Sequence, residues 1–169
     1  MKKIFLFITL VFAFGFYLKS QAETFPENAI KKDLKTAEKI FINHADDCLD
    51  LFEQAAQKES ITGVAIIAFI PGDATESWIS KMKVVGRLAD NEANLLAIAY
   101  AKASEMAVTL KNSGNSARKS INGELGYMGG VIAKIDGGYL VGAFSGGSGQ
   151  QDVDVSELGL EWLAEKFKK

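Results

Sequence analysis

The chain has 169 residues, of which 48% are apolar, enough material for one domain with a single core. Its formal net charge of −2 disfavours nonspecific nucleic-acid binding, which depends on cations that neutralise phosphates. The one cysteine, Cys48, excludes an intrachain disulfide, and the one histidine, His44, excludes a metal site with several histidine ligands.

The N-terminus has the three parts of a secretory signal peptide. Met1-Lys2-Lys3 is basic, residues 4–18 are apolar, and Ser20-Gln21-Ala22 has the small-x-small pattern of a cleavage site. The apolar segment is shorter than the roughly 20 residues that a membrane span requires, so a retained anchor is the less favoured alternative. We expect residues 1–22 to be removed and residues 23–169 to form an exported domain, either periplasmic or secreted.

A long amphipathic helix is predicted at the start of the domain. Apolar residues recur every three or four positions between Ile30 and Ala55, which gives one apolar stripe on a helix of about 30 residues that ends near Glu59. Cys48 falls on this stripe and is expected to be a buried thiol. His44 lies beside the stripe, at its boundary with solvent.

Two strands are predicted next. Residues 63–70 form an unbroken apolar run, which is typical of a central strand buried on both faces. Residues 76–85 alternate between mostly apolar and mostly polar positions, which is typical of a half-exposed strand. Pro71-Gly72-Asp73 turns the chain between them, so the two strands are expected to pair as a hairpin.

An alanine-rich helix follows. It is predicted to begin at its N-cap, Asp90, to run to about Asn112, and to be closed by Gly114. The alanines form an inward stripe that lets the helix approach a sheet closely. Lys102 and Glu105 fall off the stripe and are expected to point away from the sheet.

The last third of the chain is rich in glycine and predicts a hairpin, a glycine turn and a helix. Residues 130–135 and 139–144 are apolar runs joined by Asp136-Gly137-Gly138, a strong hairpin signal. Residues 145–149, SGGSG, lead into a helix at about 151–167. The order α-β-β-α-β-β-α predicts an α+β domain with one antiparallel sheet and helices on its faces.

The glycine turn is a candidate wall of a ligand site. Glycines permit close approach of the backbone, and N–H groups at a helix start favour anions, although Asp152 and Asp154 in the first turn would repel a phosphate. The pattern is neither a phosphate-binding loop nor a dinucleotide fingerprint. The alternative interpretation is a purely structural turn capped by Ser148 or Asp152.

A second candidate feature is a pair of bulky residues beside glycines. Tyr127 and Met128 directly precede Gly129 and Gly130 at a strand start, where they would form the rim of a pocket for an apolar, planar ligand. No Gly-x-Ser-x-Gly elbow accompanies the single histidine, so no catalytic residues are predicted.

Residues 99–110 and 123–163 resemble the GlcG/HbpS family of small haem-binding and haem-degrading-type domains. The features that match in order and spacing are Lys102-Ala103, Gly129-Gly130, Asp136-Gly137, Gly142-Ala143, Ser145-Gly146-Gly147 and Gln151-Asp152. Two segments depart from the family pattern, Ile70-Pro71-Gly72-Asp73 after the first strand and residues 85–90 before the alanine-rich helix.

The resemblance implies a profilin-like sandwich, with an antiparallel sheet of about five strands flanked by long helices. It also implies haem as a cofactor and assembly into a homo-oligomer. The cofactor-binding residues are expected to be Tyr127, Met128, Gly129, Gly130, Ser145, Gly146, Gly147 and His44. The axial iron ligand is open among His44, Met128, Met82 and Tyr127.

The expected function is that of an exported haem-binding protein of the GlcG/HbpS type, used for binding, sensing or scavenging. One alternative is an enzyme or accessory protein that acts on a small organic acid or aldehyde, with Lys102 and Asp152 as the residues to test. The other is a structural oligomeric module without a ligand. No nucleic-acid partner and no stable membrane anchor after cleavage are expected.

Overall fold

The computed structural model describes residues 27–115 and 118–168, with side chains from residue 33 onward. The predicted signal peptide, residues 1–22, lies outside the described residues. The elements are helix α1 (Glu27–Lys58), strands β1 (Gly63–Pro71) and β2 (Ile79–Val85), helix α2 (Leu95–Thr109), strands β3 (Gly130–Ile135) and β4 (Gly138–Ser145), and helix α3 (Gly149–Glu165). None of the helices in the described part is long and apolar enough to cross a membrane. The predicted element order and the α+β class are confirmed.

One open antiparallel sheet organises the described residues, in the order β2-β1-β4-β3. It has four strands there, not the five or so that the family resemblance implies. The described residues between α2 and β3 form turns and bends, as their polar, glycine-containing sequence favours. The two hairpins are confirmed, although β2 begins at Ile79 and not at Glu76.

The central strand β1 is buried on both faces, as its unbroken apolar sequence predicts. Ala65, Ile67 and Phe69 pack in the core cluster that α1 and α3 share. The residues that alternate with them, Ile66 and Ala68 among others, pack in a separate cluster under α2. The sheet therefore lies between two helical layers, α1 and α3 on one face and α2 on the other.

Helices α1 and α3 approach each other closely at a glycine. A Cβ atom on Gly159 would lie 2.2 Å from Cδ2 of Phe52, which is fully buried. The thiol of Cys48 donates a hydrogen bond to the carbonyl oxygen of Gly159 at 3.3 Å. The predicted burial of Cys48 is confirmed.

Helix α2 is shorter than predicted at both ends. It begins after its N-cap Asn94, whose side chain accepts a hydrogen bond from the N–H of Ala97, and it stops at the left-handed Leu110. The expected N-cap, Asp90, instead accepts hydrogen bonds from the N–H groups of Glu92 and Ala93 in a separate turn. Both acceptor side chains suit an N-cap, and the local turn at Asp90 displaces the helix start by one turn.

Candidate functional site

The glycine turn between β4 and α3 is fixed by a capping box. Ser148 accepts a hydrogen bond from the N–H of Gln151, and the Gln151 side chain accepts one from the N–H of Ser148 at 3.1 Å. This arrangement satisfies two N–H groups that the helix itself leaves without partners. Ser148 is therefore the cap, and Asp152 is left to make other contacts.

Asp152 forms a buried ion pair with Lys102 of α2, called here the Lys102–Asp152 pair. The Lys102 Nζ atom lies 2.7 Å from Asp152 Oδ2 and donates a second hydrogen bond, also 2.7 Å, to the carbonyl oxygen of Phe144. Asp152 Oδ1 accepts a hydrogen bond from the N–H of Gly147 at 2.8 Å. The pair connects two helices and the end of β4.

The expectation that Lys102 points away from the sheet is wrong, because only 3% of its surface is exposed. A lysine is almost never buried unless it is paired, and the partner here comes from a helix 50 residues further along the chain. Periodicity within α2 alone carries no information about Asp152.

Burial sets the protonation behaviour of both partners. Burial lowers the pKa of Lys102, and the attraction of Asp152 opposes that shift. Burial raises the pKa of Asp152, while Lys102 and the backbone N–H groups of Gly146 and Gly147 oppose it. Both shifts favour the uncharged form of the side chain, because the cost of removing each charge from water outweighs the attraction between the two charges. Perturbed pKa values at a cleft are typical of functional sites.

Gly129 is packed directly on this pair. A Cβ atom there would lie 2.4 Å from Lys102 Nζ and 2.6 Å from Asp152 Cβ. Its φ of +122° is also a conformation that side chains with a Cβ rarely adopt. Its carbonyl oxygen accepts hydrogen bonds from the Ser156 hydroxyl at 2.9 Å and the Phe144 N–H at 3.0 Å. Gly129 therefore has a structural reason to be glycine.

Glu105 also points inward, contrary to expectation, and is 4% exposed. Its Oε1 atom accepts a hydrogen bond from the N–H of Gly114 at 3.0 Å, which fixes the chain after α2. Further along, Arg118 donates two hydrogen bonds to the carboxylate of Glu124, at 2.7 and 2.6 Å. These contacts hold the segment that leads to Tyr127.

A cavity of about 520 Å³ opens beside the Lys102–Asp152 pair, and it is called here the Lys102 cavity. Its polar lining comes from the ion pair, the glycine turn and a second ion pair at 2.9 Å between Arg87 and Asp90. Its apolar lining comes from the residues just before and within the first turn of α2 and from the loop before β3: Ala93, Leu95, Ile98, Tyr127 and Met128. A bound molecule would therefore meet both apolar and charged groups.

Most of the residues that the sequence singles out meet at this cavity. Tyr127, Met128, Ser145, Gly146 and Gly147 are among its lining residues. Of these, Tyr127 and Met128 are half-exposed, at 52% and 48%. The short stretch before β3 and the glycine turn therefore form two walls of one site.

The other two glycines among the predicted cofactor-binding residues, Gly129 and Gly130, are buried. Gly129 covers the Lys102–Asp152 pair, and a Cβ atom on Gly130 would lie 2.5 Å from Cε of Met106. The Gly130 N–H donates to the Ser113 hydroxyl at 2.8 Å. Both support the cavity from within the core and do not line it.

His44 is not brought together with the other candidates. It lies on α1, on the face of the sheet opposite α2, where its ring makes a T-shaped contact with Trp162 at a centroid distance of 5.9 Å. Its Nδ1 atom is 3.9 Å from the Asp47 carboxylate. Met82 packs in the core cluster under α2 and does not line the cavity.

Arg87, Asp90 and the first turn of α2 are contributors that the sequence reasoning missed. The Arg87–Asp90 spacing of three residues was a usable signal, since it permits a local ion pair beside a helix start.

Among the described residues, no group of three or more histidine, cysteine, aspartate or glutamate side chains is placed to hold a metal ion.

Comparison of the chain with protein-family models, with curated proteins and with solved structures finds no match.

Proposed function

We propose that this chain is an exported haem-binding protein of the GlcG/HbpS type and that haem occupies the Lys102 cavity. The observation that carries the proposal is the half-exposed position of Tyr127 and Met128 on the rim of a cavity with an apolar wall. Phenolate and thioether groups are both established types of axial haem ligand.

The residues at the cavity fit such a group. Its volume of about 520 Å³ falls within the usual range for small-molecule and cofactor pockets. Leu95 and Ile98 offer apolar contact to a macrocycle, while Lys102 and Arg87 offer positive charge to carboxylate substituents. When bound, haem would supply an iron centre that can bind small ligands or exchange electrons.

Within this proposal, Tyr127 or Met128 would hold the haem iron. His44 is on the other side of the sheet and cannot reach a group held in the Lys102 cavity. A histidine-ligated haem would therefore require a separate site on α1, next to Trp162.

Export, assembly and the finer fold belong to the same proposal. The N-terminal sequence supports export to a periplasm or to the medium after cleavage. Exposed apolar residues before β3, Ile121 and Leu125, support contact with further copies of the chain. A profilin-like sandwich is supported by an open antiparallel sheet that carries helices on both faces.

The test is haem titration of the purified protein, followed by absorbance in the Soret region. Wild type is compared with Tyr127→Phe, Met128→Leu and the control His44→Ala. We expect a saturable, sharpened Soret band that one of the two rim variants shifts or removes and that His44→Ala retains. Absence of the band in the wild type would refute haem binding, and loss of it only in His44→Ala would move the site to α1.

A second candidate function is favoured by the Lys102–Asp152 pair. A buried lysine with a lowered pKa is suited to attack a carbonyl carbon, so an enzyme or accessory protein for a small organic acid or aldehyde is the alternative. Turnover that survives complete removal of haem and is lost in Lys102→Met would support it. A stable assembly that binds neither haem nor a small acid would support the remaining alternative, a structural oligomeric module without a ligand.

A further inference from the structure

Lys102 has more hydrogen-bonding capacity than the protein uses. An ammonium group has three N–H donors, and Lys102 Nζ gives two of them to Asp152 Oδ2 and the Phe144 carbonyl oxygen. Among the residues that the structure describes, no acceptor takes the third. Because Lys102 also lines the cavity while 97% of its surface is buried, the remaining donor is available to a ligand inside that cavity.

The acidic groups of the cavity are already engaged. Asp152 accepts hydrogen bonds from Lys102 and from the N–H of Gly147. Asp90 forms an ion pair with Arg87 at 2.9 Å and accepts hydrogen bonds from two backbone N–H groups. Each carboxylate is therefore compensated by a cation and by backbone donors, which reduces its repulsion of an anionic ligand.

Arg87 adds a second cation to the lining of the cavity. One of its terminal nitrogens pairs with Asp90, and its Nε atom is buried with no hydrogen-bond partner in the described ranges. The same cavity is lined by the apolar side chains of Leu95, Ile98 and Met128. The lining thus combines cationic donors with apolar surface.

We propose that the Lys102 cavity binds the carboxylate of a small organic acid with an apolar body, and that the third N–H of Lys102 donates to that carboxylate. This inference rests on the proposed role of the cavity as a ligand site, but it does not require iron. A hydrogen bond from the ammonium group to a carboxylate is roughly twice as strong as one to a neutral acceptor, so the site should favour the anion over a neutral analogue of the same shape.

The probe is benzoate, which joins a carboxylate to a flat apolar ring, and its neutral counterpart is benzamide. Both are titrated into ¹⁵N-labelled wild-type protein while the backbone amide signals of Gly146, Gly147, Gly149 and Tyr127 are followed. We expect saturable shifts with benzoate and at least about tenfold weaker binding of benzamide. Equal responses to the two compounds, or no response of these amides to benzoate, would overturn the proposal.

A variant then assigns the interaction to Lys102. The double substitution Lys102→Met with Asp152→Leu replaces the ion pair by apolar side chains, and we expect it to weaken benzoate binding at least about tenfold. The surface variant Lys83→Met is the matched control and should bind like wild type. Unchanged benzoate affinity in the folded double variant would refute the role of Lys102. If that variant does not fold, the comparison of benzoate with benzamide still decides the proposal.

Haem titration of the same wild-type protein separates the two proposals. Benzoate binding without a Soret band would leave the carboxylate site standing and refute haem. A Soret band lost in a rim variant, together with no benzoate response, would support haem and refute the carboxylate site.

Discussion

Lys102 and Asp152 are held 2.7 Å apart by helices that pack on opposite faces of the sheet. The contact is made at the end of β4, where Lys102 also donates to the carbonyl oxygen of Phe144. There Gly129, without a side chain, leaves space for the lysine ammonium. The Lys102–Asp152 pair therefore connects the two helical layers at the edge that also forms the candidate site.

Replacing one partner of the Lys102–Asp152 pair is expected to destabilise the protein much more than replacing both partners. Lys102→Met or Asp152→Leu alone leaves an uncompensated buried charge, which should lower the free energy of unfolding by about 3–5 kcal/mol. The double variant leaves the Phe144 carbonyl and the backbone N–H groups of Gly146 and Gly147 without these partners but no buried charge, for a smaller loss of about 1–3 kcal/mol. Urea denaturation of all four proteins measures this coupling.

The matched control for that cycle is Lys83→Met. Lys83 is partly exposed and pairs with Asp50 at 2.6 Å and Glu53 at 2.5 Å on the surface. Its loss should cost less than about 1 kcal/mol, because exposed ion pairs contribute little. Additive effects of the two buried substitutions would contradict the proposed coupling.

Gly129→Ala is expected to disrupt the Lys102–Asp152 pair. The added methyl group would lie 2.4 Å from Lys102 Nζ, in a backbone conformation with φ of +122°. We expect a loss of about 2–4 kcal/mol in the free energy of unfolding, from collision and strain together.

Gly123→Ala separates the two causes, since Gly123 has φ of +96° but no atom within 4 Å of the added methyl group. It should lose only about 1 kcal/mol, which is the contribution of backbone strain. Thermal melts of both variants in the same buffer provide the comparison. Equal losses would mean that strain alone accounts for the effect at Gly129.

The fold was largely predictable because its signals are local. The unbroken apolar run of residues 63–70 predicts a strand buried on both faces, and Asp136-Gly137-Gly138 predicts the second hairpin; both are confirmed. The start of α2 was not predicted correctly, because Asp90 and Asn94 are both good acceptors four residues apart. Choosing between them depends on tertiary context.

The candidate site was predictable only in part. Glycines beside Tyr127 and Met128 indicated a rim, and those two residues do line a cavity. The inward position of Lys102 was not predictable from its helix, because its partner Asp152 is distant in sequence. The position of His44 relative to Tyr127 and Met128 was not predictable either, since periodicity does not say on which face of a sheet a helix packs.

Gly159→Ala tests the close contact of α1 and α3. In an isolated helix this change would be favourable by up to about 1 kcal/mol. Here the methyl group would lie 2.2 Å from Cδ2 of Phe52, so we expect a net loss of about 1–3 kcal/mol from overpacking. Adding Phe52→Leu should recover part of that loss, as measured by chemical denaturation. A variant Gly159→Ala that is more stable than wild type would contradict the contact.

Cys48 is expected to lower the free energy of unfolding at high pH. Burial raises the pKa of its thiol from 9.0 to about 12, so the folded state holds the proton more tightly than the unfolded state. The resulting stability is complete below pH 9.0 and is lost as pH rises toward about 12. At about pH 10 the wild type should have lost about 1.4 kcal/mol that Cys48→Ala does not lose.

The measurement is urea denaturation of wild type and Cys48→Ala at about pH 7, 8, 9 and 10, taking the difference between the two free energies of unfolding. All other titrating groups are shared, so their contributions cancel in this difference. It should be constant up to about pH 8 and then shift against the wild type. The thiol, fully buried and bonded to Gly159, should also resist modification by a thiol reagent until the protein unfolds. A difference that stays constant through pH 10, or rapid native-state labelling, would contradict the burial of Cys48.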